Sequence, residues 1–331
     1  MTAFILRRGG QLLLVALALT LVVFVLQQVS NVDLARVAVG NNASNAAVAA
    51  ARHRLGYDDP LPQQFARYVG DAVQGDLGRS LRTGQPVATD LGQFGKASLE
   101  LMGFAALLGV PMAFAFGTLS ARRARGSGVL RIAMFALAAA PSFLLAVLAV
   151  LLFYKELGWL PSSGRTSLVD APTGPTGLLT IDGLLAGRPN VTWDAIQHLL
   201  LPGLCLATLP AVAVGRVLRG GILTNLRLDH VRTARAIGLS ERAIVRRHTL
   251  RNAAGPALAM SGLMAGAVFA NLAVVETIFA WPGIGSYVAQ AIPQGDFPAI
   301  AGVTLVLGAL YLVVNTLVDL LQAVADPRLR S

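Results

Sequence analysis

The sequence runs Asp229-His-Val-Arg-Thr-Ala-Arg-Ala-Ile-Gly-Leu-Ser-Glu-Arg-Ala-Ile-Val-Arg-Arg-His-Thr-Leu-Arg-Asn252 between two long apolar segments. The pattern of this polar, arginine-rich stretch predicts two short helices with a break between them. Asp229 and Ser240 can each cap a helix by accepting hydrogen bonds from free backbone N–H groups. Gly238 can end the first helix, because glycine takes the left-handed conformation easily. A short capped helix just outside a bilayer is suited to docking a partner, whereas the plainer interpretation is an ordinary basic loop.

The overall composition indicates a chain that needs an apolar solvent. Of the 331 residues, 55% are hydrophobic and only 13% are charged, whereas soluble domains carry about 25% charged residues. The chain is therefore expected to be an integral membrane protein in contact with the lipid bilayer. A net charge of +10 would suggest nucleic-acid binding in a soluble protein. In a membrane protein the distribution of the charge matters more, and no nucleic-acid partner is predicted. The lone cysteine, Cys205, excludes an intrachain disulfide.

Six apolar segments are long enough to cross a membrane, since a bilayer core of ~30 Å requires about 20 helical residues. They are Gln11–Val29, Ser98–Leu119, Ile132–Tyr154, Ile196–Leu218, Pro256–Ala280 and Pro298–Ala325. Several contain internal prolines, which transmembrane helices tolerate when neighbouring helices satisfy the freed carbonyl groups. The predicted fold class is therefore all-α, with six transmembrane helices.

The distribution of basic residues predicts the orientation. Of the 27 lysines and arginines, 17 fall at the two termini, between the second and third spans, and from the end of the fourth span to Arg251, together with three acids. The opposite side carries ten bases and eleven acids. Because cytoplasmic loops carry the excess of lysine and arginine, both termini and the Asp229–Asn252 stretch are expected in the cytoplasm.

These assignments divide the chain into four regions. Residues 1–29 form the cytoplasmic N-terminus and first span, and residues 30–97 form an extracytoplasmic insertion. Residues 98–326 hold a core of five helices with a cytoplasmic loop over 219–255, and residues 327–331 form a cytoplasmic tail. Within the insertion, Asn45–Leu55 and Pro62–Gln74 could each be helical. The first span also has features of a cleaved signal peptide, although a retained anchor is the favoured interpretation.

The motifs exclude several kinds of chemistry. No Gly-x-x-x-x-Gly-Lys-Ser/Thr stretch occurs, so ATP hydrolysis is not expected in this chain. The histidines are scattered over both predicted sides, and neither a metal site, a catalytic residue nor a cofactor is predicted. Trp281-Pro-Gly-Ile-Gly285 has a glycine-rich appearance, but it follows the fifth span on the extracytoplasmic side and is expected to form a tight turn.

Glu276 is the most informative carboxylate, because it follows Asn271 near the end of the fifth span. A carboxylate in hydrocarbon is costly, so it usually faces a bundle interior or a watery cavity. Two interpretations have similar weight: a residue of a translocation path or gate, and a hydrogen-bonded residue of helix packing. Glu100 and Asp319 lie nearer span ends and are expected to be capped or to reach the interface.

Two motifs of the basic stretch, Arg232-Thr-Ala-Arg-Ala-Ile-Gly238 and His248-Thr-Leu-Arg-Asn252, resemble the coupling-loop signature of bacterial ABC importer permeases of the dipeptide/oligopeptide/nickel branch. Further motifs support the resemblance; they are Leu55-Gly-Tyr-Asp-Asp-Pro-Leu-Pro62, Gly75-Asp-Leu-Gly-Arg-Ser80, Val275-Glu-Thr-Ile-Phe-Ala-Trp-Pro-Gly-Ile-Gly285 and Asp326-Pro-Arg-Leu-Arg330. The resemblance implies the type I importer permease fold with an N-terminal extracytoplasmic insertion, located in the bacterial inner membrane.

The resemblance also implies roles for particular residues. A coupling helix that docks an ATPase is expected to use Asp229, Arg232, Thr233, Ala234, Arg235, Ala236, Gly238 and Leu239. The rest of the loop signature comprises His248, Arg251 and Asn252. The translocation path or gate is expected near Asn271, Glu276, Trp281, Pro282 and Gly283.

The partners implied by the resemblance are a homologous permease subunit, two ATP-binding subunits and an extracytoplasmic solute-binding protein. The function would be ATP-driven import of peptides or similar small solutes, by alternating access driven through the coupling helix. A gradient-driven transporter or channel that uses Glu276 and Asp319 is one alternative, and a sensor or scaffold without transport is another. The sequence does not identify the solute.

Overall fold

The computed structural model describes residues 2–29, 34–40, 43–121, 127–172 and 174–325. Over these ranges the chain is helical, and its only β-type pairing is an isolated antiparallel bridge between Arg79 and Pro86. The helices are α1 Thr2–Val29, α2 Leu34–Val39, α3 Asn45–Arg54, α4 Leu61–Val73, α5 Val87–Ala121, α6 Ser127–Ala139, α7 Ser142–Ala149, α8 Leu179–Leu185, α9 Pro189–Asn225, α10 Asp229–Ala236, α11 Glu241–Ile244, α12 Leu250–Ile278, α13 Ile284–Ala291 and α14 Phe297–Ala325. Two π-helical segments, Val150–Glu156 and Val245–Thr249, and a 3₁₀ turn, Ile292–Gln294, complete the described elements.

Five of these helices are long and apolar enough to cross a membrane. They are α1 over Gly9–Val29, α5 over Val87–Ala121, α9 over Pro189–Asn225, α12 over Leu250–Ile278 and α14 over Phe297–Gln322. They correspond to five of the six predicted spans, with ends that differ by a few residues, and α9 includes the internal prolines Pro202 and Pro210. The all-α membrane fold predicted from the sequence is therefore confirmed.

The third predicted span, Ile132–Tyr154, differs from the prediction because it is not one straight helix. Arg131–Ala139 and Ser142–Glu156 meet at a bend of 107°. The bend falls at Pro141, which has no N–H to donate and disfavours the helical conformation in the residue before it. The described part of the chain therefore has six spans only if this bent pair counts as one.

The chain divides into two compact units, and the first comprises Met1–Lys96 and Gly283–Leu312. One buried apolar cluster of this unit consists of Val87, Leu91, Ile284, Tyr287, Ala291, Ala299 and Val303. The two helices predicted in the insertion are present as α3 and α4, and the Ser44 side chain caps α3 by accepting a hydrogen bond from the Ala47 N–H at 3.3 Å.

The Gly75–Ser80 motif lies in this first unit, beside two buried carboxylates. The Ser80 hydroxyl donates to Asp296 at 2.5 Å, and the Tyr287 hydroxyl donates to Asp90 at 2.9 Å. Burial raises the pKa of the Tyr287 phenol, so the phenol stays a neutral donor near pH 7. Through these hydrogen bonds, the Gly75–Ser80 motif belongs to a polar network that includes residues of α5 and α13 and the residue before α14.

The second unit comprises Ala97–Pro282 and Val313–Ser331, and α9 packs against α12 inside it. Small residues bring these two helices close together. A Cβ atom added to Gly221 would lie 2.8 Å from the Ala253 Cβ and 3.1 Å from its Cα. Such close approach is typical of transmembrane helix packing, which depends on van der Waals contact.

Candidate functional site

The stretch from Asp229 to Asn252 folds into short helical elements, and its first helix, α10, has one buried side and one exposed side. Val231 and Ala234 of α10 are buried with Ile244 of α11 in a small apolar cluster. The opposite side of α10 exposes side chains predicted to dock a partner; they are Asp229, Arg232, Thr233, Arg235 and Ala236. Of the predicted docking residues, Ala234 therefore belongs to the cluster, and Leu239, partly buried, packs against it.

The turn between α10 and α11 is capped as predicted at two of three positions. Gly238 has a φ of +85°, in the left-handed region, and Ser240 accepts a hydrogen bond from the Ala243 N–H at 3.4 Å. The prediction for Asp229 was wrong, because α10 is preceded by Leu228 and has no side-chain cap. Asp229 instead occupies the first turn, where a carboxylate interacts favourably with the helix dipole, and it accepts a hydrogen bond from Arg232 at 3.3 Å.

An ion pair joins the two helices across this turn. The Arg235 guanidinium donates to both Glu241 carboxylate oxygens, at 2.6 and 3.2 Å. The hydrogen bond from Arg235 lowers the pKa of the Glu241 carboxyl below its usual value. Both side chains are exposed, and pairs of this kind contribute about 0–1 kcal/mol, so the bridge orients the turn more than it stabilises it.

The second half of the stretch differs from the predicted separate short helix. After α11 the chain passes through the π-helical turn Val245–Thr249 directly into α12. The buried Thr249 hydroxyl donates to the Ile244 carbonyl at 3.0 Å and satisfies one backbone acceptor of this irregular turn. Arg251 and Asn252 are exposed in the first turn of α12, while the side chain of His248 lies outside the described part of the structure.

The carboxylate of Glu276 is fully buried near the end of α12. It accepts a hydrogen bond from the Ser98 hydroxyl of α5 at 2.5 Å. Asn271, five residues earlier, has other partners: it accepts from the Ser142 hydroxyl at 2.5 Å and donates to the Ala267 carbonyl at 2.7 Å. The two predicted gate residues thus join α12 to different helices, α5 and α7.

The chain turns sharply after α12, as the sequence predicts. Ala280 has a φ of +45° and is the only described non-glycine residue with a positive φ. The buried Trp281 donates its indole N–H to the Ala97 carbonyl at 2.9 Å, and its backbone N–H bonds to the Glu276 carbonyl at 2.8 Å. Gly283 belongs to the other unit and is the residue before α13, and its N–H donates to the Ser286 hydroxyl at 3.2 Å.

The second unit contains a buried ion pair that the sequence did not predict. Glu100, expected to be capped or to reach the interface, is 6% exposed and bonds to Arg165 at 2.5 Å. The other Glu100 carboxylate oxygen accepts from the Thr180 backbone N–H and hydroxyl, both at 2.8 Å. Arg165 also lies over the Trp281 ring, 5.7 Å from its centroid. Arg165 was the only sign of this pair in the sequence, because Glu100 and Arg165 are 65 positions apart.

Comparison with known proteins identifies the relatives of this chain. Residues 107–331 match the model of the family described as "Binding-protein-dependent transport system inner membrane component". Residues 1–95 match the model of the N-terminal region of such membrane components.

Three relatives align with nearly the whole chain. It is 40% identical to a probable D,D-dipeptide transport system permease protein of Escherichia coli, over 98% of this chain and 96% of the relative. It is 38% identical to a di/tripeptide transport system permease protein of Pseudomonas aeruginosa, over 100% and 99%. It is 35% identical to a dipeptide transport system permease protein of Alkalihalophilus pseudofirmus, over the full length of both chains.

Proposed function

The chain belongs to the family of binding-protein-dependent transport system inner membrane components, and from that membership we propose that it is the permease subunit of an ATP-driven importer of small peptides. The full-length similarity to dipeptide and di/tripeptide permeases supports this choice of solute class. It supports peptide import over the gradient-driven transporter that the intramembrane carboxylates alone would allow.

The single observation that carries the mechanism is the two-sided geometry of α10. Its apolar residues, Val231 and Ala234, fasten the helix to the rest of the second unit. Its exposed residues, Arg232, Thr233 and Arg235, are free to contact another protein at this end of the spans. A small helix anchored on one side and exposed on the other transmits motion, because a displacement of its partner moves the helix and the attached span ends together.

We infer that the partner on this surface is an ATP-binding subunit. Two such subunits would act on this chain and on a second, homologous permease, with an extracytoplasmic solute-binding protein delivering the peptide. Closure of the ATP-binding subunits would then drive the spans between inward-open and outward-open states. ATP hydrolysis is assigned to the partner subunits, consistent with the absence of a Walker A motif in this sequence.

This arrangement requires both termini and α10 in the cytoplasm, and the region over 30–97 on the outside. The chain offers a clean topology test, because its lone cysteine, Cys205, is buried. Cysteines introduced at the exposed positions Gln85 and Arg247 would be labelled by a membrane-impermeant maleimide. In intact spheroplasts we expect Gln85→Cys to react and Arg247→Cys to react only after permeabilisation.

The turn after α12 is proposed to border the translocation path. Trp281 and Glu276 are held by several hydrogen bonds, which gives the turn a fixed shape rather than an open, hydrated one. We therefore assign Glu276 a positioning role beside the path, in which it holds the end of α12 against α5.

The deciding experiment is purification of the tagged chain from its native membrane under mild detergent. We expect a subunit with a Walker A motif to copurify, with vanadate-sensitive ATPase activity that a peptide-loaded binding protein stimulates. A stable chain without an ATPase partner would reject the proposal, as would ATP-independent peptide uptake driven by a proton gradient in proteoliposomes containing this chain alone.

A further inference from the structure

A cavity of about 1390 Å³ lies within the second unit, beside the Asp229–Asn252 stretch. Its walls come from the end of α5, the end of α9, α11 and the π-helical turn before α12. The predicted docking residues Arg232 and Arg235 contribute only part of the wall. The docking role proposed for α10 therefore does not explain the cavity.

Part of the cavity lining is strongly basic. Five arginines line it, namely Arg227, Arg232, Arg235, Arg242 and Arg246. The only acid in the lining is Glu241, and Arg235 already pairs with it at 2.6 Å. In the part of the chain that the structure describes, Arg227, Arg242 and Arg246 make no ion pair with a carboxylate. Several like charges around one space repel each other, and a bound anion would relieve that repulsion.

Another part of the cavity wall is apolar and comes from residues in or next to helices that are candidate membrane spans. Phe114, Ile222, Leu223, Leu226 and Leu250 form much of this wall. Phe114 is 49% exposed although it lies in α5, a candidate span. A small inorganic anion or an acidic protein segment would match the arginines but would leave this apolar wall without a partner.

A ligand with an anionic head and an apolar tail matches the basic and the apolar parts of this lining together. Arginine binds phosphate oxygens through parallel N–H donors, and basic pockets between span ends are suited to lipid headgroups. We propose that this cavity binds an anionic phospholipid, with its phosphate at Arg227, Arg242 and Arg246 and its acyl chains along Phe114 and α9.

Such a lipid would connect the span ends to the segment that follows Gly238. Arg242 lies in α11 and Arg246 in the π-helical turn, so the headgroup would hold both elements against the ends of α5 and α9. The proposal requires an integral membrane chain, but it does not depend on peptide transport or on an ATPase partner. A failure of the proposed function would therefore leave this site to be tested separately.

The test measures lipid retention on the purified full-length protein by native mass spectrometry. The protein in detergent micelles is incubated with phosphatidylglycerol or, in parallel, with phosphatidylcholine of the same acyl chains. We expect the wild-type protein to retain phosphatidylglycerol preferentially. Arg242→Gln and Arg246→Gln should each weaken retention by about fivefold, the factor corresponding to ~1 kcal/mol per basic residue near an anionic lipid surface.

The matched control is Arg247→Gln, which removes the same charge from an exposed residue outside the cavity and should retain phosphatidylglycerol like the wild type. Equal retention of the two lipids would overturn the proposal. Displacement of the bound lipid by inorganic phosphate would identify a free-anion site instead. Unchanged lipid retention combined with loss of a copurifying ATP-binding subunit in the Arg242 and Arg246 variants would assign the arginines to a protein partner and equally reject the lipid.

Discussion

Ser98 of α5 donates a hydrogen bond to the buried carboxylate of Glu276 in α12, over 2.5 Å. The two residues are 178 positions apart in the chain, and their contact joins two membrane-spanning helices. A carboxylate inside a helix bundle is costly unless polar groups satisfy it. Ser98 is therefore part of the reason that Glu276 is tolerated at this position.

This contact makes Glu276→Gln and Glu276→Leu a discriminating pair of variants. Glutamine keeps an acceptor for Ser98, so we expect wild-type uptake per folded molecule and little change in thermal stability. Leucine removes the acceptor, and Glu276→Leu should lower the melting temperature. The Ser98 hydrogen bond itself should contribute about 0.6–2 kcal/mol, the range found for hydrogen bonds between transmembrane helices.

Uptake assays on membranes with matched expression, together with heating of the detergent-solubilised complex, measure both effects. Ser98→Ala should behave as a mild version of Glu276→Leu. If Glu276→Gln abolished uptake at unchanged stability, the negative charge itself would be needed, and Glu276 would be a gate residue rather than a positioning residue.

Arg165 and Glu100 form a buried ion pair. Removal of one partner is expected to destabilise the protein more than removal of both. Arg165→Met leaves the Glu100 carboxylate buried without its cation, which costs about 3–5 kcal/mol for such pairs. The double variant Arg165→Met/Glu100→Gln removes both charges and should recover part of that loss. Fluorescence-detected gel filtration of fusion proteins after heating compares the three forms. A double variant no more stable than Arg165→Met would contradict the expectation.

Alanine variants of two neighbouring glycines, Gly220 and Gly221, test the close approach of α9 and α12. Gly221→Ala places a methyl group 2.8 Å from the Ala253 Cβ, and overpacking of this kind costs about 1–3 kcal/mol. Gly220→Ala is the matched control, because a Cβ atom there meets nothing within 4 Å. We expect only Gly221→Ala to reduce the folded yield and thermal stability. Equal behaviour of the two variants would mean that the helices separate easily at this point.

Gly238 is expected to be sensitive because of its backbone conformation and not because of crowding. Its φ is +85°, and an added Cβ atom would meet nothing within 4 Å. Valine in a left-handed conformation costs roughly 1–2 kcal/mol, and proline cannot adopt this φ at all. Gly238→Val and Gly238→Pro should therefore insert normally in the membrane but lose peptide uptake and peptide-stimulated ATPase activity.

Gly238→Asn is the control at the same position, since asparagine adopts the left-handed conformation more readily than other non-glycine residues. It should retain most of the uptake. A complementation assay on a peptide-requiring strain reads the result, with membrane levels measured by immunoblot. Normal growth with Gly238→Pro would argue against the role proposed for the α10–α11 turn.

Short-range patterns in the sequence predicted much of this molecule. The five straight spans follow from apolar runs, and the α10–α11 turn follows from Gly238 and Ser240. Such features depend on residues a few positions apart, where propensity and capping act directly. The predicted cap at Asp229 was wrong even though it also depended on neighbouring residues. The helix begins one residue earlier than the pattern indicated, so the Asp229 carboxylate lies in the first turn.

The proline at 141 shows the limit of a hydropathy pattern. Pro202 and Pro210 remain inside one helix, whereas Pro141 lies at a bend of 107°. Both segments are apolar and long enough to span, and whether neighbouring helices satisfy the freed carbonyl groups is a tertiary question. Composition therefore indicated an apolar segment here but not a bent one.

The sequence by itself determined the all-α membrane fold, the approximate spans and the family signature, because hydrophobic runs, glycine and capping residues act locally. Only the tertiary structure decided the partners of the buried charges. Glu276 meets Ser98, and Glu100 meets Arg165 across 65 residues of chain. The arginines of the cavity likewise converge only when the ends of α5, α9 and α11 pack together. A buried charge is stabilised by whatever donor the fold brings within about 3 Å, and that choice depends on the packing of helices distant in sequence.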